Sequence, residues 1–382
     1  MLIPTRYLRR ASGMRPWVVF SISFLLIVGF PVERVQSLTS PSVTLSASKW
    51  TPIGPTQGQF GTMGSPGPFG GRIDVAAPDP SDPNVMYLGA NNGGIWKTTN
   101  WSNSSPTWTE ITDKPQILSL AVHEHDLVVF PGNPSIVLAA ASGPGGGIMR
   151  SEDSGNTWSY LGNSRFDLSE FGAIAVDPNV SNAQTVYVAI TGGSAKFVSG
   201  SGLYKSTDGG ATWSDTGSGT FSGFVSDLLE IQENGQTVLY AADTANGQAN
   251  SGNVYRSPDG GGTWTPTNFP TKPAGYNSIR LAGGTAPTEK IYASAIDASH
   301  GDGGVDYRFV TSNQGANWSP LPTWPDAAGP DTANPRTSHR SHHNVLAVDP
   351  AHSNIVFGEH RPRGQSSQSQ PGSLGKVYRM DF

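Results

Sequence analysis

The sequence contains no cysteine, few charged residues and a single long apolar run. The absence of cysteine from all 382 residues excludes disulfide bonds, thiolate metal sites and cysteine catalysis. Charged residues form only 14% of the chain and the formal net charge is −5, so the clustered lysine and arginine that bind nucleic-acid phosphates are lacking. We therefore expect no nucleic-acid partner and a fold that depends on packing alone.

The single apolar run lies near the N-terminus. It spans residues 17–30, follows four arginines between residues 6 and 15, and precedes Val35-Gln36-Ser37, whose small outer residues suit a signal-peptidase site. Its 14 residues fall short of the roughly 20 that a membrane-spanning helix needs. We predict that residues 1–37 are a signal peptide and that residues 38–382 form one secreted or periplasmic domain. The alternative is an uncleaved membrane anchor.

The rest of the chain is rich in turn formers and tryptophan, with 47 glycines, 30 prolines and 10 tryptophans. It repeats the sequence Ser-x-Asp-x-Gly-x-Thr-Trp, here called the Ser-Asp turn, three times without change. Two altered copies, at residues 98–108 and 311–318, flank the intact ones at Ser151 to Trp158, Ser206 to Trp213 and Ser257 to Trp264. A fixed repeat of this kind indicates a repeat architecture.

The repeat predicts an all-β, six-bladed β-propeller of four-stranded blades. The tryptophans that end successive turns are spaced by 50, 55, 51 and 54 residues, which suits one blade per repeat. The sixth repeat stops at its third strand, and Lys49-Trp50-Thr51-Pro52-Ile53 is the predicted donor of its fourth strand. This N-terminal strand would complete the last blade and close the ring of a monomer, so we expect the chain to be complete. The alternative is seven blades, with one hidden in residues 112–145.

The residues that recur in each turn predict structural roles. The aspartate can accept hydrogen bonds from turn amides, the glycine can take a positive φ, and the tryptophan can pack between blades. In the three intact copies these roles fall to Asp153, Gly155, Trp158, Asp208, Gly210, Trp213, Asp259, Gly261 and Trp264. In the fifth repeat the tryptophan is Trp318.

The Ser-Asp turn resembles the Asp-box, or bacterial neuraminidase repeat, and the resemblance covers residues 49–382. Asp-boxes occur in sialidases, xyloglucan-degrading glycoside hydrolases, sortilin-type receptor ectodomains and photosystem assembly factors. The segment from Arg72 to Thr99 looks most like the first repeat of the xyloglucanase-like exported proteins. The resemblance implies a β-propeller, and it leaves open whether the protein is catalytic.

Candidate ligand residues lie at predicted inner-strand ends. Counting back seven positions from three Asp-Pro pairs reaches Arg72, Glu170 and His342, which would face a common central well. Such residues could bind an acidic or hydroxylated sugar, with Glu170 as a general acid or base. The alternative is that they line a water-filled channel.

Long loops beside the sixth blade supply further candidates, because function concentrates in loops on a rigid scaffold. Flat rings could stack on sugars, and polar groups could bind them; the loop candidates are Trp324, Arg336, His342, His343 and Arg361, and Tyr276 is a further candidate ring outside these loops. Without a helix to fix their spacing, the histidines are not predicted to be a metal site. We expect no cofactor, with calcium bound by Asp297, Asp302 and Asp306 as a minor alternative.

The enzyme hypotheses meet departures from the family patterns. Asn91, ahead of Asn92-Gly93-Gly94, stands where resemblance to xyloglucanases implies a catalytic carboxylate, although an amide can still bind a sugar. Asp74 follows Arg72-Ile73 where resemblance to sialidases implies proline; Arg280 and Glu230 are among the possible remaining site residues.

The main functional prediction is therefore a propeller that binds a carbohydrate or a cell-envelope ligand. One alternative is a xyloglucanase-like or sialidase-like glycoside hydrolase that uses Glu170 or Asp227. The other is a scaffold for protein assembly, with an envelope protein as partner.

Overall fold

A computed structural model describes the chain from residue 72 onwards, with gaps. The described residues are 72–91, 93–103, 105–112, 122, 126–142, 146–161, 166, 169–180, 183–193, 202–221, 224–233, 236–244, 252–273, 275–283, 290–297, 306–321, 346–348, 355–360 and 376–381. The predicted signal peptide and the predicted closing strand both lie outside them.

The described strands form six sheets, numbered in chain order. Sheet 1 contains β1 (Arg72–Pro78), β2 (Met86–Asn91), β3 (Gly94–Thr98) and β4 (Thr109–Glu110); sheet 2 contains β5 (Leu127–Val129), β6 (Val137–Ala141), β7 (Gly147–Ser151) and β8 (Ser159–Leu161). Sheet 3 contains β9 (Ser169–Val176), β10 (Val186–Gly193), β11 (Leu203–Ser206) and β12 (Ser214–Asp215).

The later sheets follow the same order. Sheet 4 contains β13 (Val225–Glu233), β14 (Gln236–Asp243), β15 (Asn253–Ser257) and β16 (Thr265–Pro266). Sheet 5 contains β17 (Tyr276–Gly283), β18 (Ile291–Asp297), β19 (Asp306–Thr311) and β20 (Ser319–Pro320). Sheet 6 contains β21 (Leu346–Val348), β22 (Ile355–His360) and β23 (Lys376–Asp381).

All neighbouring strands in these sheets are antiparallel, and the first strands of consecutive sheets contact each other. The all-β prediction is confirmed: five sheets have four strands and one has three among the described residues, in a propeller-like arrangement. Within residues 112–145, where the sequence left room for an extra blade, the described strands are β5 and β6, and both belong to sheet 2. Sheet number and ring closure in the whole chain remain predictions.

The core lies between adjacent sheets. For example, Leu281 of β17 and Leu229 of β13 belong to one buried cluster, whereas Leu228 of β13 packs towards Ala173 of β9. Because a middle sheet is covered on both sides, a strand such as β6 is apolar throughout and does not alternate; all five of its residues are buried.

The Ser-Asp turn is held by its own side chains. In the copy from Ser206 to Trp213, Asp208 Oδ1 accepts the Thr212 amide at 2.8 Å and Ser206 Oγ at 2.7 Å, and Oδ2 accepts Thr212 Oγ1 at 2.6 Å. The Gly210 amide donates to Ser206 Oγ at 2.8 Å, and Gly210 has a φ of 101°. The copies at Asp153 and Asp259 repeat these bonds.

These bonds stabilise the ionised carboxylates. Hydrogen bonds from the Thr157 side chain and amide lower the pKa of Asp153 to about 2, and the equivalent bonds from Thr212 lower the pKa of Asp208 to about 2. Burial raises the pKa of Asp259, but bonds from Thr263 and Ser257 outweigh it and bring this pKa to about 2. The three carboxylates are therefore occupied within their turns.

Candidate functional site

Four inner strands share a β-bulge near their first residues. The pairing with the second strand shifts between Ile73 and Val75 in β1, between Val225 and Asp227 in β13 and between Tyr276 and Ser278 in β17. In β9 the shift lies at the step from Phe171 to Ala173. The extra residues are Asp74, Gly172, Ser226 and Asn277. A shared bulge gives these strand ends a common frame for comparison.

In this frame Arg72 and Glu170 hold equivalent places, because each lies two residues before the bulge. Sheets 4 and 5 have Phe224 and Gly275 at the same place. His342, the third residue of the sequence-based set, lies outside the described residues. The strand pairing thus agrees with the equivalence of Arg72 and Glu170 that the spacing predicted. The residues at the same place in sheets 4 and 5, Phe224 and Gly275, are not charged.

The candidate residues of sheet 1 are paired. Arg72 begins β1 and lies opposite Asn91, the last residue of β2. In sheet 3, Glu170 lies opposite Gly192, its side chain is exposed, and Thr191 Oγ1 donates to its main-chain carbonyl at 3.3 Å. An exposed carboxylate at a strand end can exchange protons with an external ligand, so Glu170 is the candidate acid or base at this end of the fold.

Asp227 is in a different environment and requires a correction to its predicted catalytic role. Its side chain is 0% exposed. Oδ1 accepts the Leu228 amide at 2.8 Å, and Oδ2 accepts the Leu281 amide of sheet 5 at 2.7 Å. Equivalent positions in other sheets carry buried Val75 and Ala173. The carboxylate joins two sheets and is not presented to an external substrate.

Tyr276 also requires a correction, because a ring that stacks on a sugar must be accessible. It is 0% exposed, packs against Phe269 at 5.7 Å between ring centroids, and donates its hydroxyl to Pro270 O at 2.6 Å. The register places it with Phe171 and Val225, which are also buried. This position is therefore a core position in sheets 3, 4 and 5.

Arg280 is a residue whose role the sequence did not reveal. Its Nη1 donates to Ser226 O at 2.6 Å and to Gly172 O at 3.2 Å, so one guanidinium reaches the bulges of two other sheets. Ser226 Oγ in turn donates to Ile279 O at 2.9 Å. Glu230, another possible sialidase-type residue, is only 3% exposed. These contacts fix the inner-strand ends next to Glu170 and give Arg280 a structural task.

The other sequence candidates cannot be assigned contacts. Trp324, Arg336, His343, Arg361 and Asp302 lie outside the described residues, with His342. Asp297 ends β18 opposite Tyr276, and Asp306 begins β19 opposite Ile296. No group of three or more potential metal ligands occurs within the described ranges. No helix in that part of the chain is long and apolar enough to cross a membrane.

Comparison with known proteins adds a family context to this geometry. No family model matches the chain. It is 26% identical over 297 residues to a xyloglucanase of Paenibacillus sp, covering 67% of this chain and 27% of that protein. A xyloglucanase of Hypocrea jecorina is 26% identical over 281 residues, covering 69% and 28%. The chain thus spans less than a third of the length of these relatives.

Solved structures show the same relation at the level of fold. A GH74 enzyme of Niastella koreensis aligns with a TM-score of 0.54 and 22% identity, covering 75% of this chain and 44% of that one. The GH74 xyloglucanase of Xanthomonas campestris aligns with a TM-score of 0.55 and 19% identity, covering 81% and 47%. These similarities support a β-propeller fold, and the sequence matches are to enzymes that act on a polysaccharide.

Proposed function

We propose that this protein is a glycoside hydrolase-like propeller that acts on an extracellular polysaccharide of the xyloglucan type. The observation that supports this function is the combined similarity to xyloglucanases, in sequence over 67% of the chain and in fold over 81%. This favours the enzymatic alternative over simple carbohydrate binding. The relatives are much longer, so the activity of this chain has to be tested on the chain itself.

In this proposal the ligand lies across the inner-strand ends of sheets 1 and 3. Glu170, exposed beside its bulge, is the acid or base, and Arg72 and Asn91 bind sugar hydroxyls. Glycoside hydrolysis uses two carboxylates that flank one bond. Near this end Asp74, Asp227 and Asp243 are 5%, 0% and 7% exposed, so the partner of Glu170 is proposed to come from the loops outside the described residues.

A second candidate is binding without cleavage, and Asn91 is the observation that favours it. An amide can donate and accept hydrogen bonds with sugar hydroxyls, but it cannot take up a proton as a general base. In this variant of the proposal, Trp324 and His343 provide flat surfaces for the sugar rings. Arg336, His342 and Arg361 bind its hydroxyl groups.

The deciding experiment measures release of reducing ends from xyloglucan and retention on xyloglucan, with other glycans as controls. We expect the mature chain to release reducing ends, and Glu170→Gln to lower the rate by a factor of about 10² or more at an unchanged melting temperature. Glu152→Gln is the matched control, because Glu152 is 75% exposed in a Ser-Asp turn. Retention without release would support the binding candidate. If the chain shows no release and no retention, both candidates are contradicted and an envelope-protein partner is favoured.

We also propose that the chain is an exported Asp-box protein whose six sheets close into one ring. The outer face of sheet 1 supports closure: Ile73, Met86, Leu88 and Trp96 are buried there, with Trp108 packed against them. In sheets 2 to 5 the equivalent tryptophans pack on the preceding sheet. Lys49 to Ile53 would supply the fourth strand of sheet 6.

Both parts of this proposal have simple tests. The intact mass of the exported protein should correspond to a chain that begins at Leu38, and a mass that includes residues 1–37 would contradict cleavage. Deletion of residues 38–56 from the mature chain should lower its melting temperature. An unchanged melting temperature would contradict closure by this segment.

A further inference from the structure

Each Ser-Asp turn sits on the preceding sheet at one recurring place, here called the seat. The central residue of each seat lies at the end of the fourth strand of that preceding sheet. These seat residues are Ile111, Leu161, Thr216 and Thr267 in sheets 1 to 4. A Cβ atom added to Gly155 would lie 2.5 Å from Ile111 Cδ1, and one added to Gly261 would lie 2.6 Å from Thr216 Oγ1. The turn glycine therefore packs directly on the seat residue.

The tryptophan of the same turn also reaches the seat. Trp158 Nε1 donates to Ile111 O at 3.2 Å, and Trp264 Nε1 donates to Thr216 O at 2.9 Å. Trp318 uses Thr267 Oγ1, at 3.2 Å, and Trp213 differs because it donates to Gly210 O of its own turn. Three of the four indoles thus bond to the seat residue of the sheet before.

A tyrosine of the second strand forms the floor of two seats. Tyr87 donates its hydroxyl to Ser154 O at 3.1 Å, and Tyr187 donates to Gly260 O at 3.0 Å. The register places Tyr292 of sheet 5 at the same position, opposite Val310 where sheets 1 and 3 have a lysine. Sheet 5 therefore has the residues of a seat, with Leu321 at the end of its fourth strand.

At the seat of sheet 5 the structure has a cavity of about 170 Å³. Its walls include Tyr292, Val310, Asn313, Asn317 and Leu321. Leu346 and Val348 of β21 pack against Tyr292, so sheet 6 covers part of the same face. The cavity lies where a following turn and its tryptophan pack in the earlier sheets.

We infer that this cavity is the binding site for the indole of Trp50, contributed by the N-terminal segment of the same chain. Trp50-Thr51-Pro52 is identical to Trp264-Thr265-Pro266, in which the tryptophan occupies a seat and Thr265–Pro266 is the fourth strand β16. Trp50 has the same relation to sheet 6 that Trp264 has to sheet 4. Its Nε1 would donate to Leu321 O. The inference rests on ring closure and is independent of any activity on glycans.

Photo-crosslinking tests the occupant directly. Benzoylphenylalanine at position 321 of the mature chain should crosslink to a peptide that contains Trp50 within the same molecule, and the probe at exposed Pro320 is the control. Mixing isotope-labelled and unlabelled protein separates contacts within one chain from contacts between two. Crosslinks only between chains would assign the cavity to a second copy, and crosslinks to no residue near Trp50 would also overturn the inference.

A double-mutant cycle separates the seat from ring closure in general. Trp50→Ala should lower the melting temperature about as much as Trp264→Ala, its described counterpart. Trp50→Ala combined with Leu321→Ala should lower it by less than the sum of the single effects. Strictly additive losses would be compatible with ring closure but would contradict the contact between Trp50 and Leu321. No loss in Trp50→Ala would contradict both the contact and ring closure by this segment.

Discussion

At the scale of single residues, Gly172 allows two inner strands to pack closely, and it lies two positions after the candidate acid or base Glu170. A Cβ atom on Gly172 would lie 2.6 Å from Val225 O and 2.8 Å from Ser226 O. These atoms belong to the backbone of the next sheet, so they cannot rotate away as a side chain could. Glycine is therefore required where the inner strands of sheets 3 and 4 approach most closely.

Gly172→Ala tests this close approach. We expect a loss in the free energy of unfolding of roughly 2–4 kcal/mol, because the inner strands must separate. Gly219→Ala is the control: Gly219 has a φ of 79° with nothing within 4 Å of an added Cβ, so only about 1 kcal/mol of backbone strain is expected. Chemical denaturation measures both. A loss of less than about 1 kcal/mol in Gly172→Ala would contradict the requirement for glycine at this contact.

At the scale of elements, the inner strands are joined by side chains that bind main-chain groups. Asp227 of β13 accepts the Leu281 amide of β17, Ser226 Oγ donates to Ile279 O, and Arg280 reaches back to Ser226 O. A bulge leaves main-chain groups without ladder partners, and these side chains supply partners for them. The exposed end that carries Glu170 therefore rests on a fixed support.

Asp227→Asn distinguishes support from catalysis. An amide keeps one acceptor oxygen and places an NH2 group against the other amide, so we expect a loss of roughly 2–4 kcal/mol in the free energy of unfolding. Glu152→Gln neutralises the exposed partner of an ion pair with Arg150, 3.1 Å away, and should change it by less than about 1 kcal/mol. Urea denaturation gives both values. An Asp227→Asn protein of normal stability that has lost glycan turnover would restore the catalytic assignment.

At the scale of the whole molecule, stability comes from repeated interfaces between neighbouring sheets, and the turns at Asp153, Asp208 and Asp259 respond together to acid. Each carboxylate has a pKa of about 2 in the folded chain, against an ordinary value of 3.8. The folded state therefore binds fewer protons than the unfolded state between these two values. The stabilisation is fully present above about pH 4 and is lost as the pH falls towards 2.

The melting temperature should therefore fall steeply between pH 4 and pH 2. Asp208→Asn removes one of the three titrating groups, so its melting temperature should be lower at pH 7 and change less with acid. The natural Asn313 of sheet 5 shows that an amide can fill the position, since its Oδ1 accepts the Asn317 amide at 3.0 Å. Calorimetry across this range provides the measurement. Parallel pH profiles for the wild type and the variant would contradict the role of these carboxylates.

The all-β class and the order of the sheets follow from the amino-acid sequence alone. The bonds of the Ser-Asp turn lie within eight residues, from Ser206 to Trp213, so their chemistry can be read from the letters. The spacing of its tryptophans indicates one sheet for each repeat, and spacing also predicted the equivalence of Arg72 and Glu170.

Which candidate side chains a ligand can reach depends on the packing of neighbouring sheets. Tyr276 and Asp227 look like polar or aromatic site residues in the sequence, yet the neighbouring sheets bury both completely. Arg280 acquires its partners Gly172 and Ser226 from 108 and 54 residues away. Burial and bulge register depend on the sheet that packs alongside. That sheet is encoded tens of residues away in the chain, so the local sequence around a residue does not show how it will be covered.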